Sequence, residues 1–387
     1  RSCIGEVIAP HFAALTLKEA RRALGSEDQE WIDQCFTGLA YFDTLFFRDQ
    51  GYGFTDRRPV ITAVVPLYNG AEFIEEALRS IFAQTLPPDE VIVVDDGSTD
   101  EGALIVARLK NEHPIRLIRQ ANRGQSAARN AGVECAHGDL IAFLDQDDIW
   151  YPNHLVELVK PFCERRDIRL GWSYSDLDEV DQDGAMICRG MIRSHRSLVH
   201  PKLDLANCLR QDMFILPSAA LISRQAFCQV GRFDERLSGY EDDDLFLRLF
   251  RAGFDSVFLQ EPLSKWRIFQ GSSSYSPRMA SSRMVYAAAL IERFPNDKTK
   301  SLYHVRDLIA PRFLRSMLAH FRRCVLLGDR RQQKIAVEHL AFIVRHLRIR
   351  WRVPMQYVVI PAIRFPLLAR VIVNHSEPLA RMFRRVL

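Results

Sequence analysis

The sequence has no uninterrupted run of about 20 apolar residues, the length a single helix needs to cross a bilayer. Its most apolar late stretches, Val358–Ile363 and Phe365–Val373, are broken by Pro361, Arg364, Pro366 and Arg370. No two of its 8 cysteines stand close together, which excludes zinc-finger spacing and a disulfide framework and suits a reducing compartment. There is no internal repeat, and 19 glycines and 18 prolines in 387 residues exclude a low-complexity or collagen-like chain. No glycine-rich phosphate loop with a lysine follows the first apolar run; Pro66-Leu67-Tyr68-Asn69-Gly70 stands there instead. Acid is scarce at one end only. Residues 298–387 carry 19 Lys and Arg against 4 Asp and Glu, whereas residues 1–297 carry 33 against 44.

That asymmetry implies an anionic partner for the basic end. No aromatic-interleaved basic motif accompanies the charge, so nucleic acid is not the expected partner. A basic amphipathic segment lying in the interface of an anionic membrane fits 298–387 better. No secretory signal opens the chain, and the expectation is a cytoplasmic protein, peripheral on the inner face of the membrane. Three regions follow: a helical N-terminal extension over 1–57, an α/β domain over 58–277 with halves at 60–150 and 151–277, and a basic helical region over 278–387.

Within the α/β domain, Val60–Val65, Val91–Val94, Ile115–Ile118 and Leu140–Leu144 read as short buried strands, separated by helix-length segments with apolar residues at helical spacing. Such alternation is the pattern of a mostly parallel central sheet flanked by helices. Three of these strands stop at polar residues: Tyr68 and Asn69, then Asp95 and Asp96, then Asp145, Asp147 and Asp148. A parallel sheet presents its carboxyl ends to a ligand crevice. Carboxylates packed as closely as Asp145, Asp147 and Asp148 raise one another's pKa unless a cation sits among them. A hard divalent ion, Mg²⁺ or Mn²⁺, completed by phosphate oxygens, suits that set.

The second half is expected to hold a strand at Leu170–Tyr174 leading into an acidic segment, another strand-like run at Phe214–Ile222, a helix from Arg224 to Val230, and a polar loop from Trp266 to Ser274. Glu241-Asp242-Asp243-Asp244 opens a helix there. One acid suits a helix N-terminus; four in succession exceed that need.

Taken in order, Val65-Pro66-Leu67-Tyr68-Asn69, Val94-Asp95-Asp96-Gly97-Ser98, Asn122-Arg123-Gly124 with Ala128-Arg129-Asn130, Phe143-Leu144-Asp145-Gln146-Asp147-Asp148 and Glu241-Asp242 resemble the motifs of family 2 inverting glycosyltransferases with the GT-A fold. The resemblance covers about 60–275. It implies that Pro66, Tyr68, Asn69, Asp95 and Asp96 hold the base and ribose of a nucleoside-diphosphate sugar, Asp96 foremost, with a UDP-sugar favoured. It implies that Arg123 contacts the nucleotide and that Arg267 meets the diphosphate or the acceptor side. Asp145 and Asp147 resemble the DXD pair that carries Mn²⁺ or Mg²⁺. Asp242 resembles the general base, supported by Glu241. The activity implied is sugar transfer to a saccharide or lipid-linked hydroxyl. The competing expectations are a sugar-nucleotide nucleotidyltransferase, which the missing lysine loop disfavours, and a non-catalytic scaffold, which the intact acids disfavour.

Overall fold

A computed structural model describes residues 58–164, 169–195, 198–269, 271 and 277–374. The helices expected in 1–57 lie outside the described residues. The chain forms two compact units: one contains 213–272 and the chain up to 205, the other 206–212 and 273 onward.

The first unit begins as the sequence pattern predicts. β1 (Ile61–Leu67), α1 (Ile74–Phe82), β2 (Glu90–Asp95), α2 (Gly102–Leu109), β3 (Ile115–Arg119), α3 (Gln125–Glu134) and β4 (Leu140–Phe143) alternate. Every residue of β1 and β4 is buried, as continuous apolar runs require when helices cover both faces of a sheet. The parallel order is β3-β2-β1-β4. Leu67 lies beside Asp95 and Asp95 beside Arg119, so these strands end together at one edge. The helix α3 lies tight on the sheet through Gly132, where a Cβ would come within 2.4 Å of Val64 Cγ1.

The second half adds β5 (Ile149–Trp150), α4 (His154–Glu164), β6 (Leu170–Val180), β7 (Met186–Cys188), α5 (Met191–Ser194), α6 (Leu205–Arg210), β8 (Ala220–Ser223), α7 (Arg224–Gln229), α8 (Glu241–Arg251) and β9 (Asp255–Arg267). From Ala206 on, α6 belongs to the second unit. β8 joins β4 antiparallel and β6 pairs parallel with β9, giving a mixed sheet of nine strands.

Three expectations differ here. The strand expected at Leu170–Tyr174 runs on to Val180, through the acids. Asp176 is fully buried because its carboxylate accepts from the N–H groups of Leu177, Ile192 and Arg193, and Asp178 takes the Gly190 N–H and the Tyr151 hydroxyl. Of the run Phe214–Ile222, only Ala220 onward is strand; Pro217–Ala219 forms a 3₁₀ turn. Trp266 and Arg267 close a 13-residue strand rather than opening a loop.

The second unit is helical: α9 (Pro277–Arg293), α10 (Ala310–Leu327), α11 (Arg330–Val344), α12 (Ile349–Pro354), α13 (Ile360–Ile363) and α14 (Pro366–Asn374). Asp329 caps α11 by accepting the Gln332 N–H at 2.9 Å. Phe313, Met317, Phe321, Val337, Leu340 and Val344 are buried, and the basic residues lie mostly outside them. No single described helix is long and apolar enough to span a membrane; 349–363 and 366–374 pass that test only as a pair bent by 116°.

Candidate active site

At the sheet edge where β1, β2 and β4 end, side chains stitch the following loops into one surface. Gln146 accepts from the Tyr68 N–H at 2.8 Å and donates to the Tyr68 carbonyl at 3.2 Å. It lies so close to Gly70 that a Cβ there would meet its amide at 2.4 Å, so only glycine admits the contact. Asn69 accepts from the Thr99 N–H, and Asp100 receives the N–H groups of Ala71 and Gly102. Pro66 is buried in β1; Tyr68 is 43% exposed, with its ring free of these backbone bonds.

The acids after β2 face inward. Asp95 accepts from Ser98 N–H at 2.9 Å. Asp96, 2% exposed, takes the Gln120 amide, the Arg123 N–H and the Gly124 N–H on its two oxygens. It therefore shapes the 120–124 turn that leads into α3. The Arg123 side chain reaches Glu235 at 2.7 Å on the surface.

Polar residues on α3 are buried for a reason. Ser126 donates to the Leu237 carbonyl, and Asn130 exchanges bonds with both backbone groups of Phe233. Arg129 is 1% exposed and lies over the Phe233 ring. Its guanidinium donates to Asp145 at 2.5 Å and to Glu241 at 2.9 Å. One buried cation thus joins the acids after β4 to the acids opening α8. Burial works to lower its pKa, yet the two carboxylates raise it above the usual arginine range.

The four acids of α8 separate by their bonds. Glu241 holds Arg129, Asp243 accepts from the Met213 N–H, and Asp244 holds Arg248 at 2.8 Å. Among the described residues Asp242 makes one bond, accepting the N–H of the next residue at 2.8 Å. Burial, Glu241 and Asp243 push its pKa well above the usual carboxylate range, against a pull from Arg129. Glu241 Oε2 is buried with no hydrogen-bond partner among the described residues.

After β4, Asp145 accepts from Arg129 and Gln125, and Asp148 is buried and accepts the Arg267 N–H. Among the described residues no other residue donates to the Asp147 carboxylate; only its own backbone N–H does. Burial and Asp145 raise it to about 6, opposed by Arg267 and Arg129. Burial, Asp147 and Asp145 raise Asp148 far more. Among the described residues no three His, Cys, Asp or Glu side chains form a ready-made metal cage. The residues fit a divalent ion in the way Mg²⁺ is commonly held, by one or two carboxylates with substrate phosphates completing the shell. Asp147 is the free carboxylate, with Asp145 beside it.

Arg267 is 3% exposed and bonded on every nitrogen: to the carbonyls of Asp147, Asp181 and Gln182, to Glu76 at 2.7 Å and, through its backbone, to Asp148. It clamps the Asp147–Asp148 turn, with four of its five side-chain N–H donors already engaged.

The sequence model described as Glycosyl transferase family 2 matches residues 62–231. Over those residues the chain is similar to the family 2 glycosyltransferases. Among relatives, an uncharacterized glycosyltransferase of Rickettsia bellii is 31% identical over 224 residues, 56% of this chain and 31% of that protein. The putative teichuronic acid biosynthesis glycosyltransferase TuaG of Bacillus subtilis is 28% identical over 244 residues, 62% of this chain and 91% of its own length. S. aureus TarS in complex with UDP aligns with a TM-score of 0.56 at 18% identity, over 83% of this chain and 92% of that structure. This last likeness is one of fold. The chain spans about a third of the length of the Rickettsia relatives that match it at 28–31% over 224–239 residues.

At this sheet edge, Arg129 and Gln146 are the site residues to which sequence reasoning gave no role. Gln146 sits between Asp145 and Asp147, and its type carries no signal. For Arg129 one signal existed: an arginine amid Ala127, Ala128, Ala131 and Gly132, on a helix that packs against buried strands, needs acids to meet it.

Proposed function

We propose that this protein is a metal-dependent inverting glycosyltransferase. It moves a sugar from a nucleoside-diphosphate sugar to a hydroxyl of a saccharide or lipid-linked acceptor in cell-surface glycan synthesis, at an anionic membrane face. The carrying observation is Arg129, whose two ion pairs tie the Asp145–Asp147 turn to the helix start bearing Asp242.

The roles follow from which groups are free. Tyr68 offers an exposed ring for the nucleobase, beside the Asp95–Asp96 turn. The named complex of TarS with UDP supports a uridine donor. Asp147, with Asp145, would hold Mn²⁺ or Mg²⁺ against the diphosphate, and the ion would supply charge neutralisation of the leaving group. Asp242 accepts the proton of the incoming hydroxyl. Its raised pKa makes it a stronger base than an exposed carboxylate, and a single carboxylate on the attacking side is what inversion needs. The unpaired Glu241 oxygen beside it, costly to leave unsatisfied, is available to the same hydroxyl. Arg123 pairs with Glu235 in this state and would turn to the nucleotide only by releasing it. Arg267 acts by positioning the Asp147 turn.

Incubating the full chain with a panel of nucleotide-sugars and Mn²⁺ tests this reading. The expected result is metal-dependent release of nucleoside diphosphate from one donor, faster with a saccharide or lipid-linked acceptor. Absence of both binding and turnover across UDP-, GDP- and TDP-sugars would sink it.

A further inference from the structure

The second unit holds an open cavity of about 220 Å³ far richer in base than in acid. Arg210, Arg306, Arg315, Arg348 and Arg350 line it, with Asp307 as the one acid in the wall. Asp307 is already engaged: it accepts from Arg306 at 2.7 and 2.8 Å and from Arg348 at 2.9 Å. Arg210, Arg315 and Arg350 have no acidic partner among the described residues. The remaining wall is apolar, with Leu314, Leu347 and Met355 among its residues.

Two features set this cavity apart from a merely basic surface. Arg306 and Asp307 lie in a widened i→i+5 helical turn, Val305–Ile309, and Met355 opens a second such turn, Met355–Val359. Widened turns of this kind are rare and recur at functional sites. The chain also leaves the cavity wall along an unusually bare apolar stretch. Ile349 is 68% exposed, Tyr357 69%, Val358 65% and Leu367 82%, all within the bent helical segment 349–374.

We infer that the cavity is a binding site for the phosphoryl headgroup of a lipid, with the arginines on the phosphate and the exposed face of 349–374 among the acyl chains. Planar guanidinium forks suit phosphate oxygens. The volume lies below the roughly 300–1,000 Å³ of a pocket that holds a whole drug-sized ligand, so it admits a headgroup and not a nucleotide-sugar. The lipid assignment rests on the membrane reading above; the phosphate site does not.

The test uses the full chain and three probes: vesicles of phosphatidylcholine with and without phosphatidic acid, a soluble short-chain phosphatidic acid, and inorganic phosphate. The pocket variant Arg210→Ala/Arg315→Ala/Arg350→Ala is compared with Arg322→Ala/Arg330→Ala/Arg331→Ala, which removes equal charge from other exposed positions of the same unit. The pocket variant should lose roughly tenfold or more in affinity for phosphatidic acid in both lipid forms, while the control variant keeps wild-type affinity and both keep the wild-type unfolding midpoint. Equal losses in both variants, or none in the pocket variant, would overturn the site. Inorganic phosphate binding as tightly as the short-chain lipid would overturn the lipid as its occupant. Short-chain binding without any vesicle binding would support the site and defeat the membrane reading instead.

Discussion

In the sheet-bearing unit Arg129 is 1% exposed and shared by two carboxylates, whereas in the helical unit Arg210, Arg315 and Arg350 stand exposed around a cavity without acid to meet them. The first arginine is part of the fold's internal balance. Its charge is answered, and the acids around it are held at defined positions. The others leave a surplus of positive charge open to water and to an external anion. The same residue type therefore serves as a structural tie in one unit and as an unfilled demand in the other, and the local ratio of acid to base decides between them.

Asp242→Asn breaks the acid side where the chemistry is proposed, and should lower transfer by two to four powers of ten while donor binding measured by calorimetry holds. Near-normal turnover would remove Asp242 as the base. Because burial raises its pKa in the fold, the neutral form favours folding: that stabilisation is present at low pH and lost as pH rises through the raised value. The same variant should thus unfold no more easily than wild type at neutral pH. Turnover should fall on the acid side at a pH above about 4, the ordinary carboxylate value, and an acid limb at that ordinary value would contradict the buried setting of Asp242.

Removing the tie itself comes next. Arg129→Met leaves Asp145 and Glu241 buried without their cation and should cost about 3–5 kcal/mol in denaturant unfolding. A loss below about 1 kcal/mol, the range of an exposed pair, would mean that the two acids do not depend on it. Asp147→Asn spares that tie. It should leave stability nearly unchanged and abolish the divalent-ion dependence of donor binding; retained dependence would move the ion elsewhere.

The smallest effect lies in the helical unit. Asp307 is partly exposed, and although burial opposes its charge, Arg306 and Arg348 draw its carboxyl down to about 2. A depressed pKa stabilises the fold at neutral pH, and that contribution fades as pH falls from about 4 toward 2. Screened by solvent, Asp307→Asn should cost about 1 kcal/mol or less, read from the thermal midpoint. A larger cost would mean that the surplus of arginine there is more tightly balanced than the contrast with Arg129 allows.

Much of this molecule could be read from residue order alone. The apolar runs of β1, β2 and β4 announce a covered parallel sheet, because a strand buried on both faces has no polar alternation to hide. The acids that end them mark the ligand edge for the same reason: a carboxylate has no business beside such a core unless it faces a crevice. The charge imbalance of 298–387 is likewise a property of composition. What needed tertiary structure is which acid is free. Four consecutive carboxylates at 241–244 are equivalent in sequence, and only the approach of Arg129, Met213 and Arg248 occupies three of them and leaves Asp242. Asp176 and Asp178 read only as part of an acidic segment after a strand, because their bond donors, Ile192, Arg193 and Gly190, sit more than ten residues onward. The resemblance set Arg267 against the diphosphate or the acceptor side; only the fold shows its nitrogens engaged by neighbours in space, with one N–H left over. Burial of apolar side chains is set by local pattern, whereas a polar group's role depends on distant partners that meet it only when the chain has folded.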